Sequence, residues 1–519
     1  MKVIIVGGVA GGATAAARIR RLNEHAEITV FERSGYISYA NCGLPYYIGD
    51  VITDPEELTL QTPESFFKRF RINMKIHHEV ISIHPECKTV SVKNLENGEI
   101  FEENYDKLIL SPGGGFIGLE LAENLMELGM DVTIVQRPKQ LMNPFDPDMA
   151  SMIHNEMRKH GIKLVLGYTV EGFKEKDNGV EVLLKDNPSL QADMVVLAIG
   201  VTPDTVLAKE AGLELGIKES IVVNDRMETS VPDIYAAGDA VQVKHYVTGN
   251  DALISLAGPA NKQGRIIADN ICGGDSRYLG SQGSSVIKVF DMTAATTGIN
   301  ETNAKKSGLE VDTVILSPMS HAGYYPGGKV MTMKVVFEKE SYRLLGAQII
   351  GYEGVDKRID VLATAIHAGL NATQLKDLDL AYAPPYSSAK DPVNMAGFMI
   401  DNIAKGTLKQ WHLEDMDKIS RDKDVVLLDV RTVGEFSMGH IDGFKNIPVD
   451  ELRERISEIE KGKPVYLICQ SGLRSYIASR ILEGNGYETY NFSGGFRFYD
   501  AVVNDCALIE RAYACGMDY

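Results

Sequence analysis

Lys2 to Val6 is a short apolar run ended by glycine, the pattern of a buried parallel strand rather than one face of an amphipathic helix. Gly7-Gly8-Val9-Ala10-Gly11-Gly12 leads into an Ala- and Arg-rich helix, Ala13 to Leu22, and a second strand, Ile28 to Phe31, ends on Glu32. Strand, glycine turn, helix, strand and acid in this order form a βαβ dinucleotide unit. Gly7, Gly11 and Gly12 allow a tight turn against a pyrophosphate at a helix N-terminus, and Glu32 is placed to bond a ribose hydroxyl. Val9 stands where the fingerprint would have its middle glycine.

The pattern recurs. Gly113-Gly114-Gly115-Phe116-Ile117-Gly118 opens a helix from Leu119 to Leu128, followed by a strand from Asp131 to Val135. Gly113, Gly115 and Gly118 are the turn residues of this unit, so the chain reads as holding two dinucleotides. The second strand ends on Gln136-Arg137 rather than an acid, which removes a carboxylate that would repel a 2′-phosphate and leaves both NADH and NADPH open. Farther on, Thr229 to Asp239 puts a carboxylate at the end of a small-residue strand.

The last hundred residues read as a separate α/β unit. A strand from Val425 to Leu428 leads to Asp429-Val430-Arg431, and Gly439-His440-Ile441 follows. A strand from Val465 to Ile468 ends in Cys469-Gln470-Ser471-Gly472-Leu473-Arg474-Ser475, with a helix beginning near Tyr476. A cysteine at a strand end whose loop closes onto a helix N-terminus is ringed by backbone N–H donors, which favour thiolate or an attached persulfide. A cysteine phosphatase builds a similar cradle with a longer step to its arginine. Here Arg474 comes five residues after Cys469, and the tighter loop points to a sulfur carrier.

At 519 residues the chain is too long for one domain, and 44% hydrophobic with 24% charged residues is the balance of an ordinary globular protein. A net charge of -18 argues against a general nucleic-acid binder. The N-terminus does not read as a signal peptide, and no apolar run reaches the roughly 18 residues of a membrane span. The six cysteines are widely scattered, which suits reduced thiols in a cytoplasm; a metal site is not expected. One of them, Cys42, sits in Ser38-Tyr39-Ala40-Asn41-Cys42-Gly43-Leu44-Pro45-Tyr46-Tyr47 with no CxxC partner.

Taken together these features resemble the two-dinucleotide flavoprotein disulfide reductases, and within them the coenzyme A disulfide reductases fused to a C-terminal rhodanese domain. The strings that carry the resemblance are Ser38 to Tyr47, Leu256 to Arg265, His321 to Pro326, and Tyr382 to Pro392. It implies FAD, NAD(P)H and coenzyme A as ligands and a homodimer without nucleic-acid or membrane partners. The fold class implied is α/β: two Rossmann-like dinucleotide-binding domains, an α+β dimerisation domain and a C-terminal α/β rhodanese domain. The segments are 1–112 and 201–282 for FAD, 113–200 for NAD(P)H, 283–412 for dimerisation and 413–519 for the rhodanese.

The resemblance also assigns roles. Asp239 is expected on the flavin's ribityl chain; Val195 to Gly200 looks like the strand that closes the NAD(P)H domain. Thr14, Arg18, Arg21, Ser38 and Asn41 are expected around coenzyme A, and Tyr324 and Tyr382 complete the partner's active site, with Tyr325 and Tyr386 as neighbours able to exchange roles. Cys42 is the thiol that attacks a CoA disulfide, CoA persulfide or polysulfide. Cys469, with the loop Gln470, Ser471, Gly472, Leu473 and Arg474, handles sulfane sulfur. Two other functions fit the same motifs: an NADH oxidase or peroxidase cycling Cys42 through sulfenic acid, and a sulfurtransferase on an inactive reductase scaffold.

One break stands out. The strand Tyr105 to Leu110 and Ser111-Pro112 abut the second glycine turn directly, where the family has a connecting segment and a new strand. One strand cannot lie centrally in two parallel sheets, so the two dinucleotide domains compete for Lys107 to Leu110. Intact motifs on both sides favour a segment missing from the numbered sequence over a natural shortening. A Cα step well beyond the usual ~3.8 Å between Pro112 and Gly115 would mark it.

Overall fold

The computed structural model describes residues 1–111, 118–177, 179–198, 200 and 202–515, with side chains as far as 509. The step between Pro112 and Gly115, and with it the glycines Gly113 and Gly115, lies outside the described residues. The chain divides into two units, residues 1–130 with 196–283 and residues 131–195 with 284–519.

The first unit is built on a five-stranded parallel sheet. Its strands are β1 (Lys2–Val6), β2 (Glu27–Phe31), β3 (Asn73–Lys75), β4 (Lys107–Leu110) and β5 (Ile234–Ala236), in the spatial order β5-β4-β1-β2-β3. Val3, Ile4, Ile5, Ile28, Val30, Leu108 and Ile109 are buried, as expected for strands covered on both faces. Helix α1 (Ala10–Leu22) starts three residues earlier than the sequence suggested. It packs on helix α3 (Ala257–Ile271) so closely that a Cβ on Gly264 would lie 2.4 Å from the Gly11 carbonyl. Between them in the chain, helix α2 (Gly118–Glu127) follows the second glycine turn.

The competition for Lys107 to Leu110 is decided in this sheet. β4 pairs with β1 on one side and β5 on the other, in register Val6↔Leu110 and Ala236↔Leu110. The strand expected over Val195 to Gly200 does not form among the described residues, and Val196 and Leu197 are 48% and 63% exposed. A strand needs a neighbour for its N–H and C=O groups, and β4, the strand that the sequence reading shares between the two domains, is already paired on both edges. The second unit keeps the strand Thr133–Gln136 paired in parallel with Lys163–Leu166, and a three-stranded antiparallel sheet over 170–192.

The second unit also holds a five-stranded antiparallel sheet, β6 (Ser285–Val289), β7 (Met292–Gly298), β8 (Val311–Leu316), β9 (Met331–Glu338) and β10 (Leu344–Gly351), ordered β6-β7-β10-β9-β8. At its C-terminal end lies a five-stranded parallel sheet, β11 (Gln410–Trp411), β12 (Val426–Asp429), β13 (Lys445–Asn446), β14 (Val465–Ile468) and β15 (Thr489–Phe492), ordered β11-β15-β14-β12-β13. The two sheets are stitched together: Gln410 and His412 bond the Asp312 carboxylate at 3.0 and 2.9 Å, and the Ile315 N–H donates to Ser493 Oγ at 3.0 Å.

A buried charge cluster binds the helix Pro147–Lys159 to the antiparallel sheet. Lys334 Nζ lies 3.2 Å from Asp146, 2.7 Å from Asp148 and 2.8 Å from Glu301, and Asp146 also accepts from Gln348 and Thr302. Burial opposes ionisation of Asp146 and Glu301, but the Lys334 charge and the hydrogen bonds outweigh it and hold both below the ordinary carboxylate range. Burial likewise opposes the Lys334 charge, and its three carboxylates carry its pKa upward. Asp148 is shifted up, chiefly by burial.

The depressed carboxyls stabilise the fold above their unfolded pKa, and that contribution is lost as pH falls through their lower folded values. The Lys334 contribution is complete below its ordinary 10.5 and is lost only at more alkaline pH. Thermal stability is therefore expected to hold through neutral pH and to drop below the carboxylate range, Asp148 offsetting part of the acid loss. Lys334→Met, which strands three acids, is expected to cost about 3–5 kcal/mol at pH 7. Urea melts of the two proteins measure this, and a difference under about 1 kcal/mol would mean that the acids reach water.

Candidate active site

The first glycine turn is shaped for close approach of a ligand. Gly7 has φ 102°, open to glycine and strained for other residues, and a Cβ on Gly12 would fall 2.0 Å from the Gly7 carbonyl. Glu32 accepts the Gly8 N–H at 2.8 Å and the Ser34 N–H at 2.9 Å, which fixes its carboxylate beside the turn. Val9, the departure from the fingerprint, serves as the N-cap of α1, with its carbonyl accepting the Ala13 N–H at 2.9 Å. Asp239 follows β5 beyond the carboxyl edge of the same sheet, where Gly238 has φ 87° and its N–H is held by Gln263 at 2.8 Å. Tight glycine turn, helix N-terminus and acids at the carboxyl edge of a parallel sheet fit FAD.

Cys42 is exposed on a single 3₁₀ turn, Asn41–Gly43. The segment is strapped from both sides: the Ser38 N–H donates to the Gly8 carbonyl at 2.9 Å, and the Ala40 N–H to the Leu58 carbonyl at 2.8 Å. Ser38 adopts φ 46°, so the chain reverses sharply just before the thiol. Behind it, the short helix Leu44–Ile48 packs on α2, with Tyr46 Oη 3.3 Å from Glu120 and the buried Asn124 filling the space beside Gly49. Burial and the neighbouring Glu120 push the Tyr46 phenol up to about 12.

On the outer faces of α1 and α3 lies a groove of about 380 Å³ lined by Thr14, Arg18, Arg21, Asn261, Lys262 and Arg265. Thr14, Arg18 and Arg21 are expected here from the sequence, whereas Asn261, Lys262 and Arg265 stand out there only within the string Leu256 to Arg265. The spacing of Lys262 and Arg265, one helical turn apart, was the available signal. Thr14 bonds Asn261 at 2.6 Å and Arg18 pairs with Asp269 at 2.8 Å, and Arg21, Lys262 and Arg265 make the groove cationic. Ser38 and Asn41 do not line it.

Of the NAD(P)H residues, Gly118 begins α2 and is closely approached by Ala198, and Gln136 ends its strand, its carbonyl accepting the Gly167 N–H at 2.8 Å. Arg137 follows Gln136 directly. Gly118, Gln136 and Arg137 are the described members of the expected NAD(P)H set. The strand that would deliver its glycine turn is committed to the flavin sheet.

Tyr324 and Tyr382, 58 positions apart, meet with their hydroxyls 2.8 Å from each other, and both are exposed at 76% and 45%. The hydrogen bond from Tyr324 raises the Tyr382 pKa. Tyr325 instead stacks edge-on against His321, and Tyr386 is exposed. The two loops are locked by Arg358, unnoticed in the sequence and 1% exposed. Its guanidinium donates to the Ser320 carbonyl at 2.9 Å, the Tyr386 carbonyl at 3.3 Å, Ser387 Oγ at 3.1 Å and Asp391 at 3.1 Å.

Cys469 follows the central strand β14 and is fully buried. Its Sγ accepts the Gly472 N–H at 3.1 Å and faces the Ser475 hydroxyl at 3.2 Å. Gly472, at φ 96°, caps the helix Leu473–Glu483, which begins three residues before the expected start. Gln470 and Ser471 form the floor: the Gln470 carbonyl accepts the Arg497 N–H at 3.2 Å, and a Cβ on Gly495 would collide with both residues. Leu473 is exposed, and Arg474 is paired in two parallel bonds, each 2.7 Å, with Glu435. Ser475 belongs to the quoted string but not to the expected loop; Glu435 was legible only as the last residue of a Thr432-x-x-Glu435 helix cap.

The pyridine nucleotide-disulphide oxidoreductase profile matches residues 1–114 and 111–264. The chain belongs to that family. The family's dimerisation domain matches residues 284–392 and a rhodanese-like domain residues 412–501. As a pyridine nucleotide-disulphide oxidoreductase the chain is a flavoprotein whose cofactors are FAD and NAD(P)H.

Coenzyme A disulfide reductase of Staphylococcus aureus is 35% identical over 439 residues, covering 76% of this chain and 99% of that protein. Because 76% of 519 is about 394, about 45 of the 439 aligned positions face no residue here. The structure of reduced Bacillus anthracis CoADR-RHD is 44% identical, with TM-score 0.95 over 97% of this chain and 98% of that one. An NAD-dependent persulfide reductase from A. fulgidus is 36% identical, with TM-score 0.90 over 96% and 100%. No helix among the described residues is long and apolar enough to cross a membrane.

Proposed function

We propose that the protein is an NAD(P)H-dependent flavoprotein that reduces CoA persulfide, CoA disulfide or polysulfide at Cys42, with Cys469 carrying sulfane sulfur in a fused rhodanese domain. The observation that carries the reading is the presence, in one chain, of an exposed lone thiol beside a flavin-type glycine turn and of a second thiol in a cup of N–H and O–H donors. Names of the relatives, a CoA disulfide reductase and a persulfide reductase, support it. In this reading the domain segments are those expected from the sequence, and two chains pair through the dimerisation domain.

In this reading the groove of Arg18, Arg21, Lys262 and Arg265 binds the phosphates of coenzyme A, for which guanidinium forks are well matched. Ser38 and Asn41 hold the segment that presents the thiol. Cys42 attacks as thiolate: on a disulfide, the Cys42 Sγ–S bond forms, the S–S bond breaks and one CoA thiolate leaves. On a persulfide the outer sulfur is taken and CoA leaves in the same way. A single cysteine suffices because the departing thiol takes the part of the second one. The Tyr324–Tyr382 pair of the opposing subunit provides O–H donors to the leaving sulfur. FAD, held by Gly7, Gly11, Gly12, Glu32 and Asp239, supplies when bound the electron pair drawn from NAD(P)H that returns Cys42 to thiolate.

An anaerobic titration of the FAD-loaded protein tests this. NADH or NADPH is expected to bleach the flavin, and CoA persulfide then to restore its colour with release of sulfide. One observation favours a second reading, a sulfurtransferase on a silent reductase scaffold: β4 lies wholly in the flavin sheet. A flavin that stays oxidised under both nucleotides would select that reading.

A further inference from the structure

We propose that Glu435 sets the donor selectivity of the Cys469 loop by engaging Arg474, so that the site accepts sulfur from organic persulfides and discriminates against oxyanionic donors such as thiosulfate. The inference rests on reading Cys469 as a sulfur carrier.

Arg474 is the cation of the cysteine loop, and a guanidinium fork binds carboxylates and oxyanions in the same two-pronged way. Here both prongs are taken by Glu435, at 2.7 Å each. Glu435 is itself anchored: the Thr432 N–H and hydroxyl donate to the same carboxylate at 3.0 and 2.9 Å, closing the cap of the helix Val433–Met438. The Arg474 bonds, with those from Thr432, outweigh burial and depress the Glu435 pKa to about 2, so the pair persists through the working pH range.

Arg431 is committed as well. It is 1% exposed, bonds both oxygens of Asp429 at 2.7 to 3.1 Å, and lies 3.8 Å over the Phe496 ring. Arg431 and Arg474 are each held by an acid, so neither guanidinium is free to receive a dianion approaching the Cys469 thiolate. Val433 and Leu473, the exposed side chains next to Thr432 and Arg474 in the chain, are apolar and suit the organic body of a thiol persulfide.

The transfers differ only in what leaves. From a persulfide, the Cys469 Sγ–S bond forms, the donor S–S bond breaks and the thiol departs with the electron pair and a proton. From thiosulfate the same bond forms and sulfite departs with the pair. Cyanide then removes the outer sulfur as thiocyanate and returns Cys469 to thiolate.

Glu435→Gln keeps the shape of the cap and frees the guanidinium. In the full-length protein, thiocyanate formation from thiosulfate is expected to rise about tenfold in kcat/KM, mainly through KM, while the value with glutathione persulfide does not rise in proportion. Adding Arg474→Met to Glu435→Gln is expected to erase the gain. Glu435→Asp, with a shorter reach, should give a smaller gain and serves if Glu435→Gln folds poorly by circular dichroism. An unchanged thiosulfate rate in folded variants, equal gains with both donors, or a gain that survives loss of Arg474 would overturn the proposal. Wild-type protein that forms thiocyanate from neither donor would instead overturn the reading of Cys469, and the selectivity inference with it.

Discussion

Cys42→Ser is expected to lose reduction of CoA persulfide and CoA disulfide by at least about a thousandfold, some 4 kcal/mol of transition-state stabilisation. The hydroxyl that replaces the thiol forms no disulfide bond and is not ionised near neutral pH, so the attack on sulfur has no substitute. Because Cys42 sits exposed on a turn held by backbone bonds from Ser38 and Ala40, the change removes a reactive group and leaves the packing alone. The variant should keep its FAD, its melting temperature and its thiocyanate formation at Cys469. NAD(P)H consumption with each substrate measures the loss. A residual rate above about a tenth of wild type would assign the reduction to another thiol.

The complementary change, Cys469→Ser, is expected to abolish sulfur transfer to cyanide while CoA disulfide reduction continues. Its sulfur is fully buried and accepts the Gly472 N–H at 3.1 Å. An oxygen there keeps that hydrogen bond and carries no sulfane sulfur. The informative readout is the ratio of persulfide to disulfide turnover: if Cys469 feeds Cys42, persulfide or polysulfide reduction falls several-fold while disulfide reduction holds. A clear preference for the plain disulfide, unchanged in Cys469→Ser, would count against coupling of the two thiols. Retention of thiocyanate formation would place the sulfur carrier elsewhere.

Much of this was legible in the chain because the features are local. Gly7 to Gly12, Glu32, the Cys42 turn and the Cys469 loop each need only a few neighbouring residues, and the structure places each on the turn or strand end that the pattern suggests. Helix starts were misplaced by three residues at Ala10 and Leu473, since caps supplied by Val9 and Gly472 lack the side-chain signatures of a helix start. Arg358, Glu435 and Asn261 were passed over for another reason. Their partners, Asp391, Arg474 and Thr14, lie 33, 39 and 247 positions away.

By itself, then, the sequence determined the local chemistry: two glycine turns, a lone thiol without a CxxC partner, a sulfur-carrier loop with its arginine five residues on, and a conflict over Lys107 to Leu110. Only the tertiary structure decided how that conflict ends. β4 takes β1 and β5 as neighbours, and Val196 and Leu197 are left exposed. It also brought Tyr324 to Tyr382, set Glu435 across Arg474, and joined α1 to α3 around a cationic groove. The physical reason is the same in each case. Periodicity and turn chemistry act over a few residues, whereas which strand satisfies another's hydrogen bonds, and which acid meets which base, depends on segments brought together from far along the chain.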